Sequence, residues 1–351
     1  MDKEISANGS QTARETVLEL RHLTRKFGQR IAVNELDLQV YRGDVFGLLG
    51  PNGSGKTTTI RMIVNLVRPN VGEVLLFGQS LQQRHFSTSI LGRVGSLIEQ
   101  PTFYPFLSGQ DNLLGIASFA GMSDTQVTRS RIDESLELVG LADRRKDRVQ
   151  TYSLGMKQRL GIAAALLQRP DLVILDEPTN GLDPAGVFHI RQIIQHIARQ
   201  GITIVVSSHL LYEVEQMCSR VAILEQGKLL VQDEVQNLLQ KHRGMTVMFD
   251  DASVLEKAFS AMRVFITQQS WLQGCQVLHA DPNDKGPIGE YALSIDCPSE
   301  YASRLNRLLG EQGIYAAEIR RQKLTLEDFF LRLTAQPQHM QPDQKKEGAG
   351  V

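Results

Sequence analysis

The chain has 351 residues, with 38 basic and 39 acidic side chains and a formal net charge of −1. That balance excludes a global electrostatic pull toward nucleic acid or anionic lipid. The 42% of apolar residues supplies a sizeable core, and the length points to two domains. Cys218, Cys275 and Cys297 have no metal-ligand or redox spacing and read as free thiols of a reducing compartment. The longest strongly apolar stretch, near Leu160–Leu167, falls far short of the ~20 residues of a membrane helix. The charged start Asp2-Lys3-Glu4 is no signal peptide. A cytoplasmic protein is expected.

Residues 1–15 are polar and aperiodic, and read as a flexible N-terminus. Strands are then predicted at Val17–Leu20, Leu36–Val40 and Val45–Leu49. The third runs into Gly50-Pro51-Asn52-Gly53-Ser54-Gly55-Lys56-Thr57-Thr58, and a helical pattern follows from Ile60 to Leu66. Strand, glycine-rich loop and helix are the context of a phosphate-binding P-loop. The glycines let backbone N–H groups curl around phosphate oxygens, and the helix N-terminus adds a favourable dipole. Lys56 reaches the β- and γ-phosphates, and the Thr57 hydroxyl ligates Mg²⁺. ATP and Mg²⁺ are the implied ligands.

Another strand is predicted at Val74–Phe77, and from Gln110 to Gln168 the pattern turns helical. This segment reads as a helical subdomain, about residues 100–168, inserted into an α/β core. The continuous apolar run Leu172-Val173-Ile174-Leu175 reads as a buried parallel strand. It delivers Asp176 and Glu177 at its C-terminal end, where Asp176 suits a Mg²⁺ contact and Glu177 suits polarising the attacking water. Taken alone, such a strand end also serves as a plain turn cap. Further strands are predicted at Ile202–Val206, followed by Ser207-Ser208-His209, and at Val221–Leu224. The α/β domain spans 16–241. Beyond it, strands (Thr246–Phe249, Cys275–Leu278, Tyr291–Ile295, Ile314–Ile319) and helices (Val254–Met262, Tyr301–Leu309, Leu326–Leu333) form a small α+β domain over 245–336. Asp281–Gly289 is a predicted loop, and 337–351 a flexible tail.

Several motifs together resemble those of ABC transporter ATP-binding subunits. Pro178-Thr179-Asn180-Gly181-Leu182-Asp183 is similar to the family's D-loop, His209 to its switch histidine, and Tyr152-Ser153-Leu154-Gly155-Met156-Lys157-Gln158-Arg159 to its signature. Order and spacing agree over roughly residues 17–240. The resemblance implies an ATPase with a P-loop core, catalytic Glu177 and His209, with His209 contacting the γ-phosphate, and adenine stacking on Phe27. It also implies that Ser153 and Gly155 at a helix start, with Asp183, meet the ATP held by a second subunit. That subunit is another copy or a related chain. The remaining implied partner is a separate transmembrane permease, docked on the aromatic surface Phe103, Tyr104 and Phe106. The chain would then sit peripherally on the cytoplasmic face of the cell membrane, with no nucleic acid bound.

Two departures from the family pattern matter. Leu154 and Met156 stand where most members have glycine and glutamine. Counting back from Tyr104-Pro105 and Asp111-Asn112-Leu113 aligns Glu99 with the family's metal-contacting glutamine, or Gln100 if the register shifts by one. Glutamate there, and the Ser-Leu-Gly-Met signature, resemble the bacitracin-resistance and lantibiotic-immunity exporters. Leu324–Phe330 resembles the closing helix of drug- and peptide-export ATPases. Other ABC ATPases act on ribosomes or DNA. The former carry two ATPase domains per chain, and the latter place a long coiled coil between P-loop and signature. One P-loop, one signature and no sustained heptads between Thr58 and Tyr152 argue against both.

Overall fold

The computed structural model describes residues 14–83, 88–99, 101–123, 125–241, 244–278, 291–321 and 325–335. Gln100, the 281–289 loop and the tail from 337 onward lie outside them, as do residues 1–13. Two units emerge, 1–235 and 236–351. The division falls at the start of α7 (Val235–Lys241), where the sequence placed it just after Lys241.

In the first unit, β1 (Thr16–Phe27) and β2 (Arg30–Tyr41) form a long antiparallel hairpin. Both run well beyond the short predicted strands. Their apolar residues alternate, so that Leu18, Leu20, Leu36, Leu38 and Val40 are buried on one face. β3 (Val45–Leu49) leads into α1 (Lys56–Ile63), followed by β4 (Val71–Leu76) and the short β5 (Gln79–Ser80). The order β2-β1-β4-β5 makes one antiparallel sheet. Next come β6 (Val94–Leu97) and the helices α2 (Gly109–Phe119), α3 (Gln126–Leu138) and α4 (Leu154–Leu166). Then follow β7 (Leu172–Asp176), α5 (Pro184–Arg199), β8 (Thr203–Ser208), α6 (Leu211–Met217), β9 (Arg220–Glu225) and β10 (Lys228–Glu234). The second sheet has the order β10-β9-β3-β8-β7-β6, parallel except for the β10 edge. Every residue of β3, β7 and β8 is buried, which explains their unbroken apolar runs. Each fully buried Leu, Ile or Val there contributes roughly 1.5–3 kcal/mol. One core cluster joins both sheets to α1, with Phe46, Leu48, Ile60 and Met62 at its centre. The predicted α/β fold with an inserted helical region is therefore present.

Glu15, read from sequence as part of a flexible terminus, is instead tied to Arg42 by an Nε–Oε2 contact of 2.6 Å. Arg42 and Arg93 also engage Asp171 and hold its carboxyl below the usual range, the Arg93 hydrogen bond contributing most.

The second unit holds β11 (Gly244–Met248), α8 (Ala252–Gln268), β12 (Gly274–Leu278), β13 (Ala292–Asp296), α9 (Ala302–Glu311), β14 (Glu318–Arg321) and α10 (Leu326–Ala335). Strand order β12-β13-β11-β14, all antiparallel, makes this a β-α-β-β-α-β split motif. Its core gathers Met245, Val247, Met262, Leu293, Ile295 and Leu305. The last strand begins four residues later than the sequence predicts. Gly313, at φ 68°, ends α9, and the Ile314 N–H bonds back to the Leu309 carbonyl. Ile314 thereby fills the core beneath the helix instead of pairing in the sheet. All three cysteines are free, and burial pushes the Cys297 thiol up to about 12. Among the described residues no helix is long and apolar enough to cross a membrane.

Candidate nucleotide site

The parallel sheet collects the predicted chemistry at its carboxyl edge, where α/β folds bind ligands. Leu49 pairs with Ser208 and Asp176 with Ser207. The residues that follow β3, β7 and β8, namely Gly50, Glu177 and His209, are therefore neighbours by register. Gly50 turns the chain at φ 147°, and a β-carbon there would stand 2.2 Å from the Leu224 carbonyl oxygen. Only glycine fits. The left-handed Gly55 (φ 106°) opens α1 without any side-chain cap, so the first-turn N–H groups remain available to an anion. Inside the loop, the buried Ser54 hydroxyl has no hydrogen-bond partner among the described residues. Lys56 is 5% exposed, and its ammonium donates to the carbonyls of Gly50 (2.7 Å) and Pro51 (3.3 Å). The adjoining cavity is about 430 Å³ and is lined by Phe27, Arg30, Asn52, Thr57, Glu177 and Asn180, among others. An uncapped helix start, a buried ammonium and an orphan hydroxyl match a polyphosphate.

Asp176 and Glu177 are held by a residue that motif reading passes over. The Ser207 hydroxyl, fully buried on β8, donates to Asp176 Oδ1 at 2.5 Å. Ser207 Oγ in turn accepts the Glu177 N–H at 2.8 Å. Glu177 sits at φ 49°, a left-handed conformation that is uncommon for a non-glycine residue and is stabilised here by that bond. Its carboxylate reaches Lys56 Nζ at 3.3 Å and His209 Nδ1 at 2.7 Å. Thus His209 is aimed at the carboxylate of Glu177. Ser207→Ala is expected to leave Asp176 unsatisfied, costing about 1–3 kcal/mol of stability. Hydrolysis should fall about tenfold while ATP affinity stays near the parent value. Denaturant unfolding and steady-state ATPase assays check both.

Phe27 presents its ring at the cavity with 47% exposure. The Arg25 guanidinium covers it from 4.5 Å, which leaves the opposite face for a planar ligand. Of the predicted site residues, Gly50, Pro51, Ser54, Asp176 and His209 adjoin this cavity's residues without lining it, and Ser153, Gly155, Asp183 and Glu99 do not line it either. Ser153 caps α4 by accepting the Met156 N–H, and Asp183 caps α5 by accepting the Gly186 N–H. Gly155 and Gly181 face the D-loop and signature reciprocally. A β-carbon on Gly181 would meet Leu154 Cδ2 at 3.3 Å, and one on Gly155 would meet Leu182 Cδ2 at 3.8 Å. Leu154 therefore packs on the chain's own D-loop. Glu99 follows β6 at φ 63° and is ion-paired with Arg61 of α1. Among the described residues, no three acidic, histidine or cysteine side chains cluster as a ready metal site. Tyr152, ahead of the signature, donates its hydroxyl to the Arg144 carbonyl at 2.7 Å and anchors the start of α4.

Sequence reading missed Ser207, Arg25, Arg30 and Asn180 as parts of this site. Ser207 carried one usable signal: a hydroxyl inside a fully buried strand must find a partner.

Comparison with known proteins agrees with this geometry. Residues 33–180 match the ABC transporter family model. The Bacillus subtilis uncharacterized ABC transporter ATP-binding protein YhcH is 49% identical over 224 residues, 64% of this chain and 70% of that one. The bacitracin transport ATP-binding protein BcrA of Bacillus licheniformis is 38% identical over 319 residues, covering 91% of this chain and 97% of the relative. The lantibiotic transport ATP-binding protein SrtF of Streptococcus pyogenes is 38% identical over 218 residues, 62% and 91% respectively. A solved ATP-binding subunit of an ABC transporter superposes with a TM-score of 0.56 at 28% identity, over 64% of this chain and 92% of that one. The chain belongs to the ABC transporter ATP-binding proteins and is an ATPase.

Proposed function

We propose that this ATPase powers an exporter by docking on a separate transmembrane permease at the cytoplasmic face of the membrane. The cargo is of a drug, peptide or lipid-like class, a reading supported by the bacitracin and lantibiotic transport relatives. The observation that carries docking is an exposed aromatic patch just beyond β6. Tyr104 is 63% and Phe106 74% exposed, with Leu107 beside them, whereas Phe103 is half-buried. Exposed aromatics grouped at one site mark interaction surfaces. Cysteines placed near Phe106 should crosslink to the co-purified permease in native membranes. An intact, active complex without such crosslinks would refute docking here.

In the proposed cycle, Lys56 and the loop N–H groups bind the phosphates of Mg-ATP, and adenine stacks on the open face of Phe27. Thr57 and Asp176 hold Mg²⁺, with Glu99 as the further candidate. Glu177 orients the attacking water, and His209 fixes the carboxylate. Ser153, Gly155 and Asp183 serve the ATP of a second subunit, either another copy or a related chain. Ser153 and Asp183 are exposed helix caps and Gly155 is in the first turn of α4, and all three are outside the cavity of their own chain.

Glu99 adds a negative charge where the family's usual glutamine is neutral. Its pairing with Arg61 must break before it turns to a metal. Glu99→Gln is expected to retain ATP binding and appreciable hydrolysis but to shift the Mg²⁺ and pH dependence. Gln100→Ala should do much less. Activity profiles against Mg²⁺ and pH for both variants settle the register, and a crippled Gln100→Ala beside a parent-like Glu99→Gln would reverse it.

A further inference from the structure

We infer that Arg30 is a phosphate-contact residue of the nucleotide site, one that lies outside the P-loop, signature and D-loop motifs. The inference rests on the reading of the 430 Å³ cavity as the ATP site. Arg30 opens β2 and pairs directly with Phe27 across the turn of the β1–β2 hairpin. The hairpin thus presents an aromatic ring and a guanidinium side by side at one rim of the cavity, and both line it. The Arg30 side chain reaches over the P-loop, with its Nη2 3.5 Å from where a β-carbon of Gly53 would stand. Gly53, at φ 84°, lies in the apex of that loop.

The electrostatics select an anion. Most arginines of this unit have an acidic partner, as in Arg21 with Glu19, Arg42 with Glu15 and Arg93 with Asp171. The Arg30 guanidinium has no ion-pair or hydrogen-bond partner among the described residues. Lys56 in the same cavity is already paired with Glu177 at 3.3 Å, which leaves the Arg30 guanidinium as the lining cation without an acidic partner among the described residues, and a bound polyphosphate supplies one. Geometry then narrows the contact. A base on Phe27 and terminal phosphates at Lys56 put the α- and β-phosphates between them, which is the span Arg30 overlooks. Its planar fork of donors suits paired phosphate oxygens better than a lysine ammonium does.

The test is titration of MgATP, MgADP and adenosine into the full chain and into Arg30→Ala and Arg30→Lys. Arg30→Ala should weaken MgATP and MgADP about tenfold, the scale of one charge-assisted hydrogen bond. It should leave adenosine affinity unchanged and make ATP binding less sensitive to salt. Arg30→Lys should fall between the two. Retained adenosine binding also reports an intact hairpin. Unchanged MgATP affinity in Arg30→Ala overturns the inference alone. An equal loss for adenosine overturns it too, because Arg30 would then act through the Phe27 platform. A parent chain that ignores MgATP overturns the reading of the cavity itself and this inference with it.

Discussion

Glu177→Gln is expected to lower ATP hydrolysis by about two orders of magnitude or more, in the range for removal of a general base, while ATP binding survives. The carboxylate stands at the carboxyl edge of the parallel sheet, 3.3 Å from the P-loop ammonium and 2.7 Å from His209 Nδ1. Its backbone is held by Ser207 in a conformation that only a tethered residue keeps. Glutamine preserves shape and hydrogen bonding to His209 but cannot take a proton from water. The residues proposed to bind phosphate (Lys56, the loop N–H groups and Thr57) are retained, so ATP should accumulate uncleaved. A single-turnover assay beside an equilibrium binding measurement separates the two effects. Near-parent turnover would remove Glu177 from the catalytic role.

Ser153→Arg is expected to abolish hydrolysis to a similar extent without abolishing nucleotide binding. Ser153 is the exposed N-cap of α4, where its hydroxyl accepts the Met156 N–H. The dipole of that helix start favours negative charge, and Ser153 is absent from the cavity that contains the same chain's P-loop. In the proposed cycle this helix start serves the ATP of the second subunit. Arginine there adds bulk at the proposed subunit junction and removes the cap, worth about 1 kcal/mol, so thermal melting must accompany the assay. A stable Ser153→Arg chain with parent turnover would refute the shared site.

Much of this was legible in the sequence, for identifiable reasons. The P-loop, the Asp176-Glu177 strand end and the signature are local patterns whose chemistry needs contiguous residues. Buried parallel strands such as β7 write themselves as apolar runs. What was illegible depends on register and topology. Ser207 joins Asp176 to Glu177 only because β7 and β8 lie side by side. Arg30 reaches Gly53 only because the β1–β2 hairpin folds over the loop. The edge strand β10 has a mixed burial pattern and carries little periodic signal. The split motif of the second unit arises from strand order, which no local pattern encodes. Leu154 is instructive in another way. It stands where most members have glycine, and only the fold shows that its side chain packs on the chain's own D-loop beside Gly181.

The most direct test of the shared site is a mixing experiment with two inactive chains. Lys56→Ala lacks the P-loop ammonium, and Ser153→Arg lacks the signature anion site. In a mixed pair, the intact P-loop of the Ser153→Arg chain faces the intact signature of the Lys56→Ala chain, so one complete site is rebuilt. Hydrolysis should therefore reappear on mixing, rise with protein concentration and saturate below the parent rate. Two chains that remain inactive together at concentrations where the parent is fully active would contradict a site built from two copies of this subunit.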